Sequence, residues 1–352
     1  MAKVVYVGMS GGVDSSVTAS LLKEQGYTVV GVYMKNWSQD LPGFQCPWKE
    51  DYQDAKRVAV QLGIDFKMYD FEKEYRQKVV DYMIDEYQAG RTPNPDIMCN
   101  QEVKFKLFLN TALEDGADFI ATGHYARIKE ADNGKFQLLT GKDANKDQSY
   151  FLYRVTEKAL SRSLMPIGEY EKPKVRELAR KLGLATAEKK DSQGICFVGK
   201  VGIREFLEQF VTTEPGAIIE QNGVIIGQHD GALFYTIGQR HGLDVGGGLP
   251  YYVVGKDMAK NEVYVTTNLQ DGRLWRNELQ LTDVHWINGE PDLSKNYQVR
   301  TRYRASLVDI NTIITDDRGL TLGLGEEVRA ITPGQSAVIY DGDRCLGGGI
   351  VI

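Results

Sequence analysis

The residues with the clearest chemical potential are Ser10-Gly11-Gly12-Val13-Asp14-Ser15. They follow an apolar run at residues 3–9 that is typical of a buried strand, and they precede residues 17–23, where apolar side chains recur at helical spacing. A glycine-rich turn between strand and helix directs backbone N–H groups and the positive end of the helix dipole at one point. The sequence therefore predicts a phosphate or pyrophosphate site. The alternative is a turn that only closes a strand–helix unit.

This loop differs from a Walker A loop, because no lysine follows its glycines. A Walker lysine reaches the β- and γ-phosphates of a nucleotide. A cradle of amides and hydroxyls without lysine suits a pyrophosphate leaving group and attack at the α-phosphorus. The pattern resembles the PP-loop of the ATP pyrophosphatase superfamily, which implies adenylation of a carbonyl oxygen with release of pyrophosphate.

The elements that position this loop are predicted from alternating strand and helix patterns over residues 1–200. Further strands are predicted at 28–34, 65–71 and 118–123, and further helices at 52–62, 73–88 and 105–113. Such alternation predicts an α/β domain with a doubly wound parallel sheet, whose ligands bind at the carboxyl ends of the strands. Gly12, Met34 and Gly123 all lie at or just beyond such ends, so one ATP is predicted to touch all three.

The composition and the hydrophobic pattern of the chain change after residue 200. Glycine accounts for 16 of the first 200 residues and for 21 of the last 152. Short extended patterns separated by turn signals predict a mostly-β domain at 201–275 and an antiparallel β-barrel at 276–352. With the α/β domain at 1–200, this makes three domains, as expected for a chain too long for one core.

Composition excludes several classes of protein. The contents of 42% hydrophobic and 26% charged residues are typical of soluble globular proteins. No apolar stretch approaches the ~20 residues of a membrane span, and the N-terminus lacks a signal-peptide pattern. We therefore expect a cytoplasmic protein with no membrane partner.

The net charge of −6 argues against a generally basic nucleic-acid surface but leaves a local one open. Arg300, Arg302 and Arg304 alternate along a predicted strand, so all three are expected to share one face that suits phosphate contacts. The alternative is a solvated strand face.

The four cysteines form no C-x-x-C pair, so neither a disulfide framework nor a metal site is predicted. Cys99 lies in a proline-stiffened segment ahead of a predicted helix that has two lysines near its start, a setting that favours thiolate. Cys196 lies in a second loop that contains lysines and glycine. Each is equally compatible with a reactive thiol and with a small buried hydrophobe. Cys46 and Cys345 are predicted to serve packing or to be incidental.

Over nearly its whole length the chain resembles the bacterial tRNA-specific 2-thiouridylases, which place sulfur on the wobble uridine of certain tRNAs. The motifs that carry the resemblance are residues 8–15, 94–96 with Cys99 and Asn100, 121–125, 146–152, 191–197, 235–240 and 332–337. The phosphate loop alone indicates only the superfamily. The two motifs that contain Cys99 and Cys196 are specific when they occur together.

The resemblance implies roles for individual residues. ATP would be bound by Gly8, Met9, Ser10, Gly11, Gly12, Val13, Asp14, Ser15, Met34 and Gly123. The target base would meet Asn94, Pro95 and Asp96, and tRNA would contact His124, Lys146, Asp147, Gln148, Arg302, Tyr303 and Gln335. Cys196 would carry a persulfide sulfur delivered by a partner protein. Cys99 would be the nucleophile that releases this sulfur, ending in a disulfide with Cys196.

Several of these roles have simpler alternatives. Asp96 is a candidate general acid or base, but an acidic residue in a loop also serves as a helix cap or is solvated. Lys146 and Gln148 would also fit a polar turn. We expect Mg²⁺ to accompany ATP, because a departing pyrophosphate needs charge neutralisation, and we expect a monomer.

Physical reasoning accounts for two cysteines. The C2 carbonyl of uridine is a poor electrophile until adenylation makes its oxygen a leaving group. A persulfide then supplies sulfur, and a second thiol is needed to cleave the S–S bond. Two other functions remain open. One is a PP-loop ligase that transfers an amine to a small-molecule carbonyl and needs no paired cysteines. The other is an RNA-binding module in which ATP only stabilises the bound conformation.

Overall fold

The computed structural model describes residues 2–43, 45–190, 202–243, 245–246, 248–317 and 319–352. The first seven strands are β1 Val4–Gly8, β2 Thr28–Lys35, β3 Asp65–Asp70, β4 Phe119–Ala121, β5 Ala126–Glu130, β6 Phe136–Thr140 and β7 Ser163–Leu164. The others are β8 Gly216–Glu220, β9 Ile225–His229, β10 Tyr252–Asp257, β11 Glu262–Thr266, β12 Trp275–Trp286, β13 Tyr297–Arg300, β14 Val308–Asp316, β15 Gly319–Arg329, β16 Ser336–Asp341 and β17 Arg344–Val351.

The helices lie mainly in the first half of the chain. They are α1 Val13–Glu24 and α2 Trp48–Leu62; the continuous rod α3 of Glu72–Tyr75, Arg76–Val80 and Asp81–Gln88; the rod α4 of Pro95–Met98, Cys99–Phe108 and Leu109–Glu114; and the short helices α5 Glu157–Leu160, α6 Lys172–Lys181 and α7 Ile203–Leu207. Both rods have wider, π-helical turns in their middle segments.

The predicted parallel sheet and its two covering layers are confirmed. Five parallel strands pair in the order β3-β2-β1-β4-β7. Val30, Val32 and Met34 of β2 pack into a core with α3 and α4. Val29 and Tyr33 face the opposite core, which contains α1, α2 and α6. Since side chains alternate along a strand, the two faces of β2 serve different helix layers.

The rest of the chain forms two β modules, as predicted. Strands β10-β11-β8-β9 form a sheet in which β8 and β11 are parallel. Strands β12 to β17 form a closed antiparallel barrel, because β12 pairs with both β15 and β17. The hairpin of β5 and β6 joins this barrel through β17. Sequence patterns did not predict that residues 126–140 would extend the barrel's sheet.

The predicted common face of Arg300, Arg302 and Arg304 is wrong. Strand β13 ends at Arg300, and the chain then turns, with Arg304 at a φ of 62°. Arg300 lies against buried Asp147, with 3.0 Å between Nη1 and Oδ2. The turn therefore directs the three guanidinium groups to different partners instead of along one strand face.

The prediction that Cys99 precedes a helix is also wrong. Rod α4 begins at Pro95, four residues before Cys99, and continues through residue 114. Proline suits the first position of a helix, since its φ is pre-set and its missing N–H would be unpaired there anyway. Cys99 is therefore inside a helix, and its side chain is buried.

Within the described part of the chain, no helix is both long and apolar enough to cross a membrane. The same residues contain no group of three or more His, Cys, Asp or Glu side chains that could hold a metal ion.

Candidate active site

The phosphate loop connects β1 to α1, as predicted. Gly11 has a φ of 72°, and a Cβ at this position would overlap the backbone oxygen of Asp51 in α2. The amide of Ser10 donates to Ser15 Oγ over 3.2 Å, and the hydroxyl of Ser16 donates to the Gly12 carbonyl over 2.8 Å. These contacts fold the chain tightly around the N-terminus of α1, where anions bind favourably.

The predicted ATP-binding residues outside this loop converge on it. A Cβ on Gly123 would lie 2.8 Å from the Ser15 amide nitrogen, so the chain after β4 passes directly against α1. A Cβ on Gly8 would lie 3.0 Å from Cε of Met34 at the end of β2. The absence of side chains at Gly8 and Gly123 thus allows three strand ends to approach one another.

A lysine from a distant element supplies positive charge to the loop. Lys172, the first residue of α6, places Nζ 2.8 and 2.9 Å from the two carboxylate oxygens of Asp14. The Tyr125 hydroxyl donates to the same carboxylate over 2.8 Å. The Lys172 side chain is 10% exposed and that of Asp14 is 30% exposed, so water screens this pair only in part. Sequence reasoning missed Lys172, because 158 positions separate it from Asp14 and no local motif marks it.

A second lysine holds the chain beside the same loop. Nζ of Lys189 lies 2.8 Å from the carboxylate of Asp51 and 2.6 Å from that of Asp54, both on α2. Asp51 is also the residue whose backbone crowds Gly11. The described chain breaks after Lys190, so Cys196 and the predicted reactive loop around it lie outside the described residues.

The first turns of α4 bring the predicted base-contacting residues together with Cys99. Asn94 is the N-cap in an extended conformation, Pro95 begins the helix, and Asp96 lies in the first turn. A carboxylate in this turn is favoured by the helix dipole, whereas the N-cap position itself is occupied by Asn94. Cys99 is 0% exposed, and the side-chain amide of Asn100 donates to the Phe151 carbonyl over 3.0 Å.

His124 connects the carboxyl edge of the parallel sheet to α4. Its Nδ1 lies 2.8 Å from Thr122 Oγ1, and its Nε2 lies 3.4 Å from Nζ of Lys104 on α4. Burial and the adjacent Lys104 charge hold the pKa of His124 well below its usual range. The imidazole is therefore neutral at neutral pH, and its side chain is buried.

All three parts of the chain meet at a set of contacts that we call the Thr92 junction: Thr92, Pro93, Thr236, Pro333, Gly334 and Gln335. Thr92 Oγ1 lies 3.1 Å from Thr236 Oγ1 in the central module. Its backbone N–H donates to Pro333 O over 2.8 Å, and its carbonyl accepts from Gln335 Nε2 over 2.7 Å. These bonds fix the segment that enters α4 and place Gln335, a predicted tRNA contact, beside the base-contacting residues.

The other predicted tRNA contacts cluster where residues 145–151 meet the end of β13. The rings of Tyr303 and Phe151 lie 4.5 Å apart, and Arg304 Nε donates to the Asn145 carbonyl over 2.9 Å. Lys146 and Gln148 are partly buried, and Gln148 Oε1 accepts from the Tyr125 amide over 2.9 Å.

Two members of this cluster are engaged within the protein. Asp147 is buried against Arg300, and its Oδ1 accepts from the amides of Gly141 and Ser149 over 3.0 and 3.1 Å. Arg302 donates to the Ala330 carbonyl. These bonds give Asp147 and Arg302 roles in shaping the surface.

Cys46 and Cys345 are both buried, as their predicted packing roles require. Burial raises the pKa of each thiol above its usual value. Both side chains are therefore held in the neutral, unreactive form.

Comparison with known proteins gives matches over the whole fold. Residues 3–200 match a family model described as the tRNA methyl transferase HUP domain. Residues 204–267 match the tRNA methyl transferase PRC-barrel domain, and residues 276–351 match the aminomethyltransferase β-barrel domain.

Full-length relatives carry a more specific name. A Bacillus subtilis protein named tRNA-specific 2-thiouridylase MnmA is 49% identical over 99% of this chain and 94% of its own length. A protein of the same name from Halalkalibacterium halodurans is 50% identical, with the same two coverages. A solved 4-thiouridine synthetase–RNA complex with bound ATP is 21% identical, with a TM-score of 0.39, and covers 59% of this chain and 50% of that one.

A parallel sheet with a lysine-free phosphate loop at its carboxyl edge defines an ATP-utilising PP-loop enzyme. At nearly half identity over almost the full length, the chain belongs to the tRNA-specific 2-thiouridylase family of tRNA sulfurtransferases. The resemblance seen in the sequence motifs is thereby confirmed. The full-length relatives are named for thiolation, whereas the domain models are described by methyl transfer. The names of the relatives are the more specific of the two.

Proposed function

We propose that this protein uses ATP to convert the wobble uridine of tRNA to 2-thiouridine. The observation that carries the proposal is the Lys104–His124 contact, which joins the ATP edge of the sheet to the helix that contains Cys99. Adenylation and sulfur transfer must act on the same carbon, so the two groups of residues have to belong to one site. His124 follows Gly123 directly, and Lys104 lies five positions after Cys99 in the π-helical middle segment of α4.

The first half of the reaction is adenylation of the uridine. The C2 oxygen attacks the α-phosphorus of ATP, the bond to pyrophosphate breaks, and the N3 proton leaves, with Asp96 as the candidate acceptor. Amides and hydroxyls of residues 10–15 would hold the departing pyrophosphate. We expect Mg²⁺ to enter with ATP as its counter-ion.

Lys172 takes the place of a Walker lysine in our proposal, but in a different manner. It neutralises Asp14, which would otherwise repel the phosphates at the N-terminus of α1. The Tyr125 hydroxyl fixes the same carboxylate. Lys172 is thus a positioning residue, since it acts on the loop through Asp14.

The second half is sulfur transfer. The terminal sulfur of a Cys196 persulfide attacks C2, and the C2–O bond breaks with AMP as the leaving group. The Cys99 thiolate attacks Cys196 Sγ, so the S–S bond breaks and its electron pair stays on the transferred sulfur. Cys99 and Cys196 end as a disulfide, which an external thiol reductant must reopen. A partner protein would supply the persulfide sulfur.

The position of Lys189 supports a role for Cys196 at this site. Lys189 is held beside the phosphate loop, and Cys196 lies seven positions further along the chain. Seven residues span at most about 25 Å, which keeps the thiol within reach of the loop's surroundings.

We also propose that the predicted domain boundaries, at 1–200, 201–275 and 276–352, separate the catalytic part from two RNA-holding modules. Several side chains of the cluster and junction described above remain partly exposed and so can contact tRNA, among them Lys146, Gln148, Tyr303 and Gln335. We expect the reaction to take place in the cytoplasm. We expect the protein to act as a monomer.

The test is a comparison of Cys196→Ser with Cys345→Ala, a buried thiol distant in sequence from both motifs. We expect tRNA-dependent pyrophosphate release from wild type, no 2-thiouridine from Cys196→Ser and normal product from Cys345→Ala. Pyrophosphate release that is unchanged in Cys196→Ser, with no 2-thiouridine formed by wild type, would favour an amine-transferring ligase. ATP binding without turnover, with sulfur supplied, would favour a binding module.

A further inference from the structure

Asn36 is a buried amide without a hydrogen-bonding partner. It follows the last residue of β2, Lys35, and is 1% exposed. Neither Oδ1 nor Nδ2 has a hydrogen-bond partner, and within the described part of the chain Asn36 is the one buried side chain with both amide atoms in this state. Leaving two polar groups buried and unpaired destabilises a fold, so such a residue calls for a ligand or an ordered water.

The neighbours of Asn36 place it on the Cys99 side of the sheet. Met34 and Trp37 both pack in the core that also contains Cys99, whereas Tyr33 packs in the opposite core with α1. Asn36 therefore lies at the carboxyl edge of the sheet, where ligands of such folds bind, on the side of the predicted target-base contacts.

A second incompletely bonded amide lies next to Cys99 in the chain. Asn100 is 2% exposed and directly follows Cys99 in α4. Its Nδ2 is bonded to Phe151, but its Oδ1 has no partner. Two amides with unused hydrogen-bonding capacity, one after Met34 and one after Cys99, indicate that a polar ligand completes this part of the site.

We propose that the side-chain amide of Asn36 binds the Watson–Crick edge of the target uracil. In the bound ground state Oδ1 accepts from N3–H and Nδ2 donates to O4. This pairing leaves O2 free to attack the α-phosphorus, as the proposed function, on which this inference rests, requires. Adenine also presents a donor beside an acceptor, but the position of Asn36 on the Cys99 side assigns it to the uracil.

The experiment measures binding of two anticodon hairpin RNAs, one with uridine at the target position and one lacking that base. For Asn36→Leu, we expect about 5–150-fold weaker binding of the uridine RNA, because the polar groups of the uracil lose their hydrogen-bond partner. Binding of the base-less RNA should be unchanged. ATP affinity should stay within about twofold. The melting temperature should not fall, because an apolar side chain of similar size replaces an unpaired amide.

The matched control is Asn288→Leu. Asn288 is hydrogen-bonded to the Phe136 carbonyl and to Arg344, so its loss should lower the melting temperature and leave base-dependent binding intact. Equal loss for both RNAs, unchanged base-dependent binding in Asn36→Leu, or a selective loss of ATP affinity would each overturn the Asn36 assignment. If wild type itself does not distinguish the two RNAs, the Asn36 assignment is wrong, whereas the proposed function fails only if wild type forms no 2-thiouridine.

Discussion

The phosphate loop and the Thr92 junction are built in opposite ways. Six consecutive residues, 10–15, form the loop and fold around one helix N-terminus. The junction joins residues 144 and 243 positions apart, from all three parts of the chain. The loop can be recognised in a sequence because its contacts are local. The junction has no local pattern, and only the fold shows that Gln335 meets the segment leading into α4.

The largest expected effect is a loss of ATP affinity on substitution of Gly11 in the phosphate loop. In Gly11→Ala, a methyl group would overlap Asp51 O at a position with a φ of 72°. Strain of about 1–3 kcal/mol should weaken ATP binding about tenfold or more, as measured by calorimetry.

Gly26→Ala is the matched control for Gly11→Ala. Gly26 has a φ of 87°, but nothing lies within 4 Å of an added Cβ, and it follows the other end of α1. We expect its ATP affinity to match wild type. A Gly11→Ala protein with wild-type ATP affinity would contradict the assigned site.

The second prediction tests the charge that the fold supplies to the loop. Lys172→Met removes the buried partner of Asp14 and should weaken ATP binding several-fold while lowering the unfolding free energy by about 1–3 kcal/mol, since Asp14 can hydrate in part. Lys174→Met breaks an exposed pair with Glu177, where we expect little change in stability and unchanged ATP binding. Equal effects of the two changes on ATP affinity would remove Lys172 from the site.

The third prediction addresses the junction. A Cβ on Gly334 would lie 2.8 Å from the Thr92 amide nitrogen, at a φ of 89°. Gly334→Ala should therefore displace the segment that leads into α4 and lower the rate of thiolation several-fold, with ATP affinity unchanged. Gly342→Ala, at a φ of 59° with open space around it, should retain the wild-type rate. If Gly334→Ala weakens ATP binding as much as thiolation, the two regions are not separable.

The smallest expected effect concerns pH. Because the pKa of His124 is lowered by burial and by Lys104, the unfolded chain binds more protons than the folded one below about pH 6.5. Stability from this group is full above that pH and is lost as pH falls below it. His124→Gln should therefore lose less stability than wild type between about pH 7 and pH 5, measured by denaturant unfolding. The exposed His241→Gln serves as control, and an identical pH profile in wild type and His124→Gln would contradict the buried, neutral imidazole.

Much of the fold followed from sequence, for reasons visible in particular elements. Uninterrupted apolar runs such as 28–34 predicted the parallel strands, because these strands are buried on both faces. The start of α4 was predicted ten residues too late. The helix begins after Asn94, but no apolar periodicity follows Pro95 to indicate it. The prediction that the three arginines share one strand face was wrong because the turn after Arg300 depends on tertiary packing.

The candidate site divides in the same way. The loop, Met34 and Gly123 were found from strand ends, whereas Lys172 and Asn36 became visible only through their surroundings: a distant carboxylate for one, and unpaired buried atoms for the other. Neither residue lies in a motif whose spacing carries a mechanism.

Mass spectrometry of the wobble nucleoside tests the account most directly. Wild-type protein would be incubated with ATP, a substrate tRNA and a persulfide donor, and the nucleosides analysed after digestion. The account predicts uridine with its C2 oxygen replaced by sulfur, formed only when ATP is present. Unmodified uridine from folded, ATP-binding protein with these reactants, or thiouridine formed equally well without ATP, would contradict it.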